Sequence, residues 1–173
     1  MNKKIIFATA FLISATLMAA PGKSVEIKRE KATEVMANRS SKENKEYLSG
    51  VSKSIAETAG MGGSKANVDR ALSQGSADLL VSVTRLADKK DVAALALVVE
   101  LSEGVKSETE ANTLALIAEK GLEKITTATD FVTAIKSAIA NGKSLTEALK
   151  IGAEKRKDKS MSVEDWIKEL LKC

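Results

Sequence analysis

The sequence predicts an all-α protein, a helical bundle of about six to eight short amphipathic helices following an N-terminal signal peptide. Three observations lead there. The 173-residue chain has 44% hydrophobic and 29% charged residues but only 3% aromatics and a single proline. Such a core must be aliphatic, and a chain rich in Ala, Leu, Glu and Lys favours helices, whereas β-domains lean on aromatic and β-branched residues and frequent turns. Apolar residues recur at steps of three and four, the spacing of one helix face. The periodic runs begin at Ser or Asp and stop at Gly or Asn-Gly, the ordinary punctuation of helix ends. The length suits one domain with a real core.

The amino terminus is a separate segment. Asn2-Lys3-Lys4 is a short positive stretch, Ile5 to Met18 is an uncharged apolar run, and Ala19, Ala20 and Gly22 are small. That is the three-part form of a secretory signal over residues 1–22. Pro21 disfavours a cut after Ala20, so cleavage is bracketed between Ala19 and Gly22. An uncleaved membrane anchor is the alternative, although the run is shorter than the roughly 20 residues that span a bilayer comfortably. The short two-lysine start looks bacterial, so the expected location is periplasmic or secreted. Gly22-Lys23-Ser24 and Gly142-Lys143-Ser144 resemble the end of a phosphate-binding loop, but that loop needs a glycine five residues before its Gly-Lys. Leu17 and Ser137 stand there, and no strand precedes either.

Residues 23–40 form a charged, weakly periodic arm or weak helix, and residues 41–173 the helical domain. Lys42 to Thr58 carries Leu48, Val51, Ile55 and Ala59 on one face. It runs into "GMGGS", Gly60 to Ser64, a helix C-cap and turn and the candidate hinge. A glycine cluster can also cradle an anion, but no strand leads into this one. Ala66 to Leu72 is a short helix. Ser76 caps the next, with Leu79, Leu80, Val83, Leu86 and Ala87 inward. Asp91 starts "DVAALALVVEL", apolar nearly all round, which makes it the most buried helix; its length and alanines favour helix over strand despite Val98-Val99. Glu108 to Lys120 follows, then Ile125 to Ala140 with a seam of Ala128, Val132, Ile135 and Ile139. Ser144 with Glu147 three residues into the next helix makes a capping box for Leu145 to Lys155. Ser162 caps the last helix, with Asp165 at its third position. "LALVVE" (95–100) and "LALIAE" (114–119) echo one another, a single short match that an Ala/Leu-rich chain produces by chance.

Little in the composition carries chemistry. There is no histidine, so the commonest general base and metal ligand is missing, and Ser/His/Asp and Cys/His systems are excluded. One cysteine, Cys173, cannot form an internal disulfide or supply a zinc site, but it can pair with a second copy of the chain, giving a homodimer. No calcium-loop pattern occurs. The acid pairs Glu26/Glu30, Glu108/Glu110 and Glu164/Asp165 sit beside lysines or at helix starts, where they complement the helix dipole. Ser–Lys catalysis survives in principle, yet Ser49 is not spaced for Ser-x-x-Lys. The net charge is +4, half of it from the two lysines of the leader, and aromatics are sparse, so nucleic acid is not an expected partner.

The expectation is therefore an exported, non-catalytic helical binding or structural module of the bacterial envelope, with no cofactor and no metal and with an unidentified protein partner. The candidate interaction face is Val163, Trp166, Ile167, Leu170 and Leu171, an apolar stripe that docks on the body or on a partner. Its polar side mixes Glu164, Asp165 and Glu169 with Lys168 and Lys172, which gives anionic lipid little to hold; a membrane role follows only if the leader is retained. The other readings are a membrane-anchored envelope domain, a secreted antagonist or inhibitor, and a periplasmic hydrolase working without histidine. The last requires a concave pocket that brings Ser and Lys, or two acids, within hydrogen-bond reach.

Overall fold

A computed structural model describes residues 25–121, 129–155 and 160–172, with Lys120, Gly121, Leu170 and Leu171 described by backbone alone. The expected signal segment 1–22, the expected Ile125 start and Ala128 of the seam, the charged run 156–159 and Cys173 lie outside the described residues. Among those described there are nine α-helices and no strand. They are α1 (Arg29–Ala37), α2 (Lys42–Thr58), α3 (Lys65–Gln74), α4 (Ala77–Asp88), α5 (Val92–Glu103), α6 (Glu108–Leu116), α7 (Thr129–Ala140), α8 (Leu145–Glu154) and α9 (Val163–Leu171).

The count exceeds six to eight because the charged segment 29–37 is itself a helix. Ala32, Val35 and Met36 stand three and four apart and are all buried, with Ile27 ahead of them. Polar ties hold α1 and its lead-in to α4: Arg29 pairs with Asp78, Glu26 with Arg85, and the Val25 N–H donates to Asp88 Oδ1 at 3.1 Å.

Helices α2, α3, α4, α6, α7 and α8 pack on α5, which carries six buried side chains, Leu95, Leu97, Val98, Val99, Leu101 and Ser102; the most buried helix is nevertheless α4, with seven, and not α5 as expected. Asp91 caps it, its carboxylate accepting from the Ala94 N–H at 3.1 Å. At the other end the Arg70 guanidinium donates to the carbonyls of Val105 (3.1 Å) and Glu103 (2.8 Å), a positive charge where the helix dipole is negative. Helix α4 contributes Leu79, Leu80, Val83 and Ala87 as expected, but Leu86 is only partly buried. Ser76 stands at its N-cap without a side-chain cap bond.

Two hairpins flank this centre. The α2–α3 hairpin turns through Gly60, at φ +71°, and a short 3-10 turn, Gly62–Ser64. The Gly60 N–H donates to the Glu57 carbonyl and the Met61 N–H to the Ala56 carbonyl, the paired bonds of a Schellman cap. The candidate hinge is thus a cap and a turn, with α2 and α3 packed on each other across it. The α7–α8 hairpin ends its first helix the same way, with Gly142 at φ +79° and bonds from Gly142 and Lys143 to Ile139 and Ala138. The capping box on α8 is present in full. A third Schellman cap closes α4, but Lys90 occupies its left-handed position at φ 55°.

Helix α6 stops at Leu116, four residues short of the expected Lys120. The chain widens there into a π turn, Ile117–Gly121, which keeps Ile117 and Ala118 buried and turns Leu116 to solvent at 40% exposure. The two echoing hexapeptides therefore differ in setting, one inside regular α5 and the other crossing from α6 into the π turn.

Candidate functional site

Three surface features stand out. The first is the stripe on α9. Ser162 caps this helix, its hydroxyl accepting from the Asp165 N–H at 3.1 Å. Val163, Trp166 and Ile167 pack half-buried against the core. The Trp166 ring meets Phe131 edge to face, with centroids 4.9 Å apart and planes at 72°. Leu170 and Leu171 belong to the same helix, and their side chains lie outside what is described. The described part of the stripe is thus seated on α7, α8 and the π turn. Phe131, absent from the expected α7 seam, is 2% exposed, whereas Val132 is only partly buried. The reason is on the neighbouring helix. A Cβ on Gly152 would stand 2.8 Å from Phe131 Cδ2 and Cε2, so its absence opens the notch that receives the ring.

The second feature is a polar groove of about 650 Å³ between α2 and α3, lined among others by Lys45, Lys53, Lys65, Glu46, Asp69 and Ser49. Lys65 Nζ donates to Ser49 Oγ at 2.8 Å. Reading Ser-x-x-Lys along one helix missed this pair, because the contact crosses a hairpin between residues sixteen apart. It meets the distance condition for a Ser–Lys hydrolase. Two things weigh against attack by Ser49. It sits within α2, where backbone N–H groups are committed to carbonyls four residues back rather than free to hold an oxyanion. The groove also mixes three lysines with two acids, so no single charge is focused there. Beside it the buried Ser52 hydroxyl joins the Leu48 carbonyl (2.8 Å) to the Asp69 carboxylate (3.2 Å). Both serines thereby tie α2 to α3.

The third feature is a groove of about 450 Å³ where the lead-in to α1 crosses α1 and α2. Its apolar lining includes Val25, Ile27, Val35 and Val51, and its charged rim includes Lys28, Lys31 and Glu43. Tyr47 stands in the wall, and burial pushes its phenol above the ordinary range. The volume is that of sites that hold small ligands or a few side chains, roughly 300–1,000 Å³. Sequence reading missed it because it is assembled from the stretch 25–28, whose contacts are with residues far along the chain.

One buried carboxylate belongs to none of these. Glu110, 5% exposed, accepts from the Lys106 N–H at 2.9 Å through Oε2 and from the Thr146 N–H at 3.1 Å through Oε1. Burial raises its proton affinity, but these N–H groups and the Ser144 and Thr146 hydroxyls outweigh it and hold the carboxyl below its ordinary range. Around it the Leu145 N–H donates to the Gly104 carbonyl (2.7 Å) and Lys106 Nζ to the Gly142 carbonyl (2.6 Å). Through these bonds Glu110 staples the start of α8 to the start of α6.

Among the described residues no cluster of three or more acids, cysteines or histidines is placed to hold a metal ion, and no helix is long and apolar enough to cross a membrane. Comparison with protein-family models, curated proteins and solved structures found no match for this chain.

Proposed function

We propose that this chain is an exported, non-catalytic helical module of the bacterial envelope that acts by binding a protein partner. The observation that carries the reading is the groove at the α1–α2 crossing. An apolar floor under a rim of both charges suits an apolar side chain presented between polar neighbours on another protein. Hydrophobic centre and polar rim is the ordinary anatomy of a recognition surface. The proposed occupant is a polypeptide segment with one apolar anchor, its flanking charges meeting Lys28 and Glu43. The leader-like residues 1–22 supply the export half of the proposal.

Site-specific photocrosslinking tests the binding half. A crosslinker at Glu43 or Lys31 is expected to trap one discrete envelope protein, while the same group at exposed Lys150 on α8 traps none. Excess wild-type chain should compete the product away; the Tyr47→Ala chain, with its helical content intact, should not. Equal trapping from Lys150, or full competition by Tyr47→Ala, overturns the groove as the surface. Amino-terminal sequencing of the mature protein tests the export half, with a start between Ala20 and Lys23 expected. A start at Met1 in a soluble cytosolic fraction overturns it.

A further inference from the structure

The polar groove between α2 and α3 is built from a row and a crossing. Lys45, Ser49 and Lys53 stand four residues apart on α2, so they share one face, each about one helical turn (roughly 5.4 Å) from the next. Lys65, the first residue of α3, crosses to this row and donates to Ser49 Oγ at 2.8 Å. Three lysines and one hydroxyl thus line a groove of about 650 Å³. That lies within the roughly 300–1,000 Å³ of small-ligand sites.

The fold leaves these donors largely unspent. Lys65 is the one lysine among the described side chains that is not exposed. A half-buried ammonium ordinarily takes a carboxylate, and Asp69 stands one turn along the same helix. Asp69 instead accepts from Ser52 Oγ at 3.2 Å. Neither Lys65 nor Lys45 enters an ion pair among the described residues. Lys53 meets only Glu57, at 3.8 Å and exposed, a weak contact. The position of Lys65 adds to the imbalance: a cation at a helix start opposes the dipole, and α3 has no acid in its first turn. The hydroxyl is also set apart. Ser52, Thr58 and Ser73 hand their protons to the carbonyl four residues back, whereas Ser49 accepts from Lys65 and donates to no protein group among the described residues.

Donors without acceptors call for an anion, and their type narrows which. The arginine fork matches a planar carboxylate, whereas lysine serves phosphate as a point charge. No arginine lines this groove. We propose that the α2–α3 groove binds a phosphate-type oxyanion, held by Lys65 and Ser49 and flanked along α2 by Lys45 and Lys53. The ion belongs to a soluble phosphate compound or to a lipid headgroup, and the chemistry at the groove is the same for both. Lysines outnumber acids on the wall by only one, so recognition works through directed donors and not through a long-range field. The site is separate from the α1–α2 groove and stands whether or not that groove binds a protein.

The test uses the full chain at fixed ionic strength in sodium chloride, with two probes. Inorganic phosphate is titrated into nitrogen-15-labelled chain, and the amide resonances of Ser49 and Lys65 are expected to move with saturation. Vesicles of phosphatidylglycerol mixed with phosphatidylcholine are the second probe, read by co-sedimentation. Against whichever probe binds, Lys65→Met should weaken affinity about ten-fold or more and Ser49→Ala about three-fold or more. Lys150→Met, at an exposed site on α8, should leave it unchanged. Loss confined to the phosphate titration assigns a soluble ligand, and loss confined to the vesicles assigns a headgroup. No binding of either probe by wild type overturns the proposal. Equal losses in Lys65→Met and Lys150→Met also overturn it, because they mark general charge attraction. Ser49→Ala keeps every lysine and decides the question should Lys65→Met fail to fold: unchanged affinity there overturns the site.

Discussion

The α2–α3 and α7–α8 hairpins begin alike and are held in opposite ways. Each turns through a Schellman cap with glycine in the left-handed position, Gly60 in one and Gly142 in the other. The first hairpin then leaves a polar groove between its helices, crossed by the Lys65–Ser49 contact, with the buried Ser52–Asp69 contact beside it. The second is pressed together until Gly152 has no room for a methyl group, and Glu110 pins its turn to the body. One hairpin can change its surface chemistry at small cost. The other is a packing joint, and changes there reach the α9 seat.

The largest expected effect is in the tight hairpin. Gly152→Val places branched carbon where Phe131 and Ile135 already lie at 2.8 Å, and overpacking of this kind costs about 3 kcal/mol. Gly152→Ala costs less, because better helix propensity returns about 1 kcal/mol. Denaturant unfolding measures both, and in both the Trp166 emission should shift toward that of a solvent-exposed indole.

Next is the staple. Glu110→Gln keeps one acceptor and turns an N–H₂ toward the Lys106 or Thr146 N–H, a loss of about 1–3 kcal/mol at neutral pH. The pH dependence has a definite sign. The folded carboxyl is held below its ordinary range, so its contribution is full above the unfolded-state pKa, near 4.3, and is lost as pH falls through the lower folded value. Wild type should therefore lose stability to Glu110 protonation only in acid, and that part of the slope should vanish in Glu110→Gln. Glu147 is also held low, by the Ser144 N–H and then by Lys143, and contributes slope of the same sign, so the variant is compared with wild type across the same range.

The three Schellman caps sharpen the comparison further. Lys90 holds a left-handed conformation that glycine adopts without strain. Lys90→Gly is expected to raise stability by about 0.5–1 kcal/mol, and Gly142→Ala to lower it by about 1 kcal/mol, both read from thermal or denaturant midpoints. The smallest effect belongs to the open hairpin. Lys65→Ala removes one partly exposed hydrogen bond and should cost less than about 1 kcal/mol. A larger loss would mean that the polar groove is structural, which would break the contrast between the hairpins.

Local signals carried the fold. Ser144 with Glu147, Ser162 with Asp165 and Asp91 ahead of an alanine-rich run each mark a helix start within four residues, and each cap is present. The face of α2 at Leu48, Val51, Ile55 and Ala59 is buried as its spacing predicts. What was not legible depends on neighbours distant in sequence. Phe131 rather than Val132 faces inward because Gly152, twenty-one positions later, makes room for it. Glu108/Glu110 was an acid pair at a helix start, and one member serves there; that it also caps α8 is settled by a partner thirty-six residues away. The groove at 25–51 and the Ser49–Lys65 contact were hidden for the same reason. The face on α9 was visible as a stripe, but its half-buried seating on Phe131 was not.

The tie between Val25 and Asp88 spans sixty-three residues, and it sets an order in time. Helix α1 is made well before the α4 surface that receives it. At roughly 5–20 residues per second, a nascent chain carries Val35 and Met36 without that shelter for about 3–11 s. The first of the described helices thus waits for the fourth, and a factor that guards new chains would meet it during that interval.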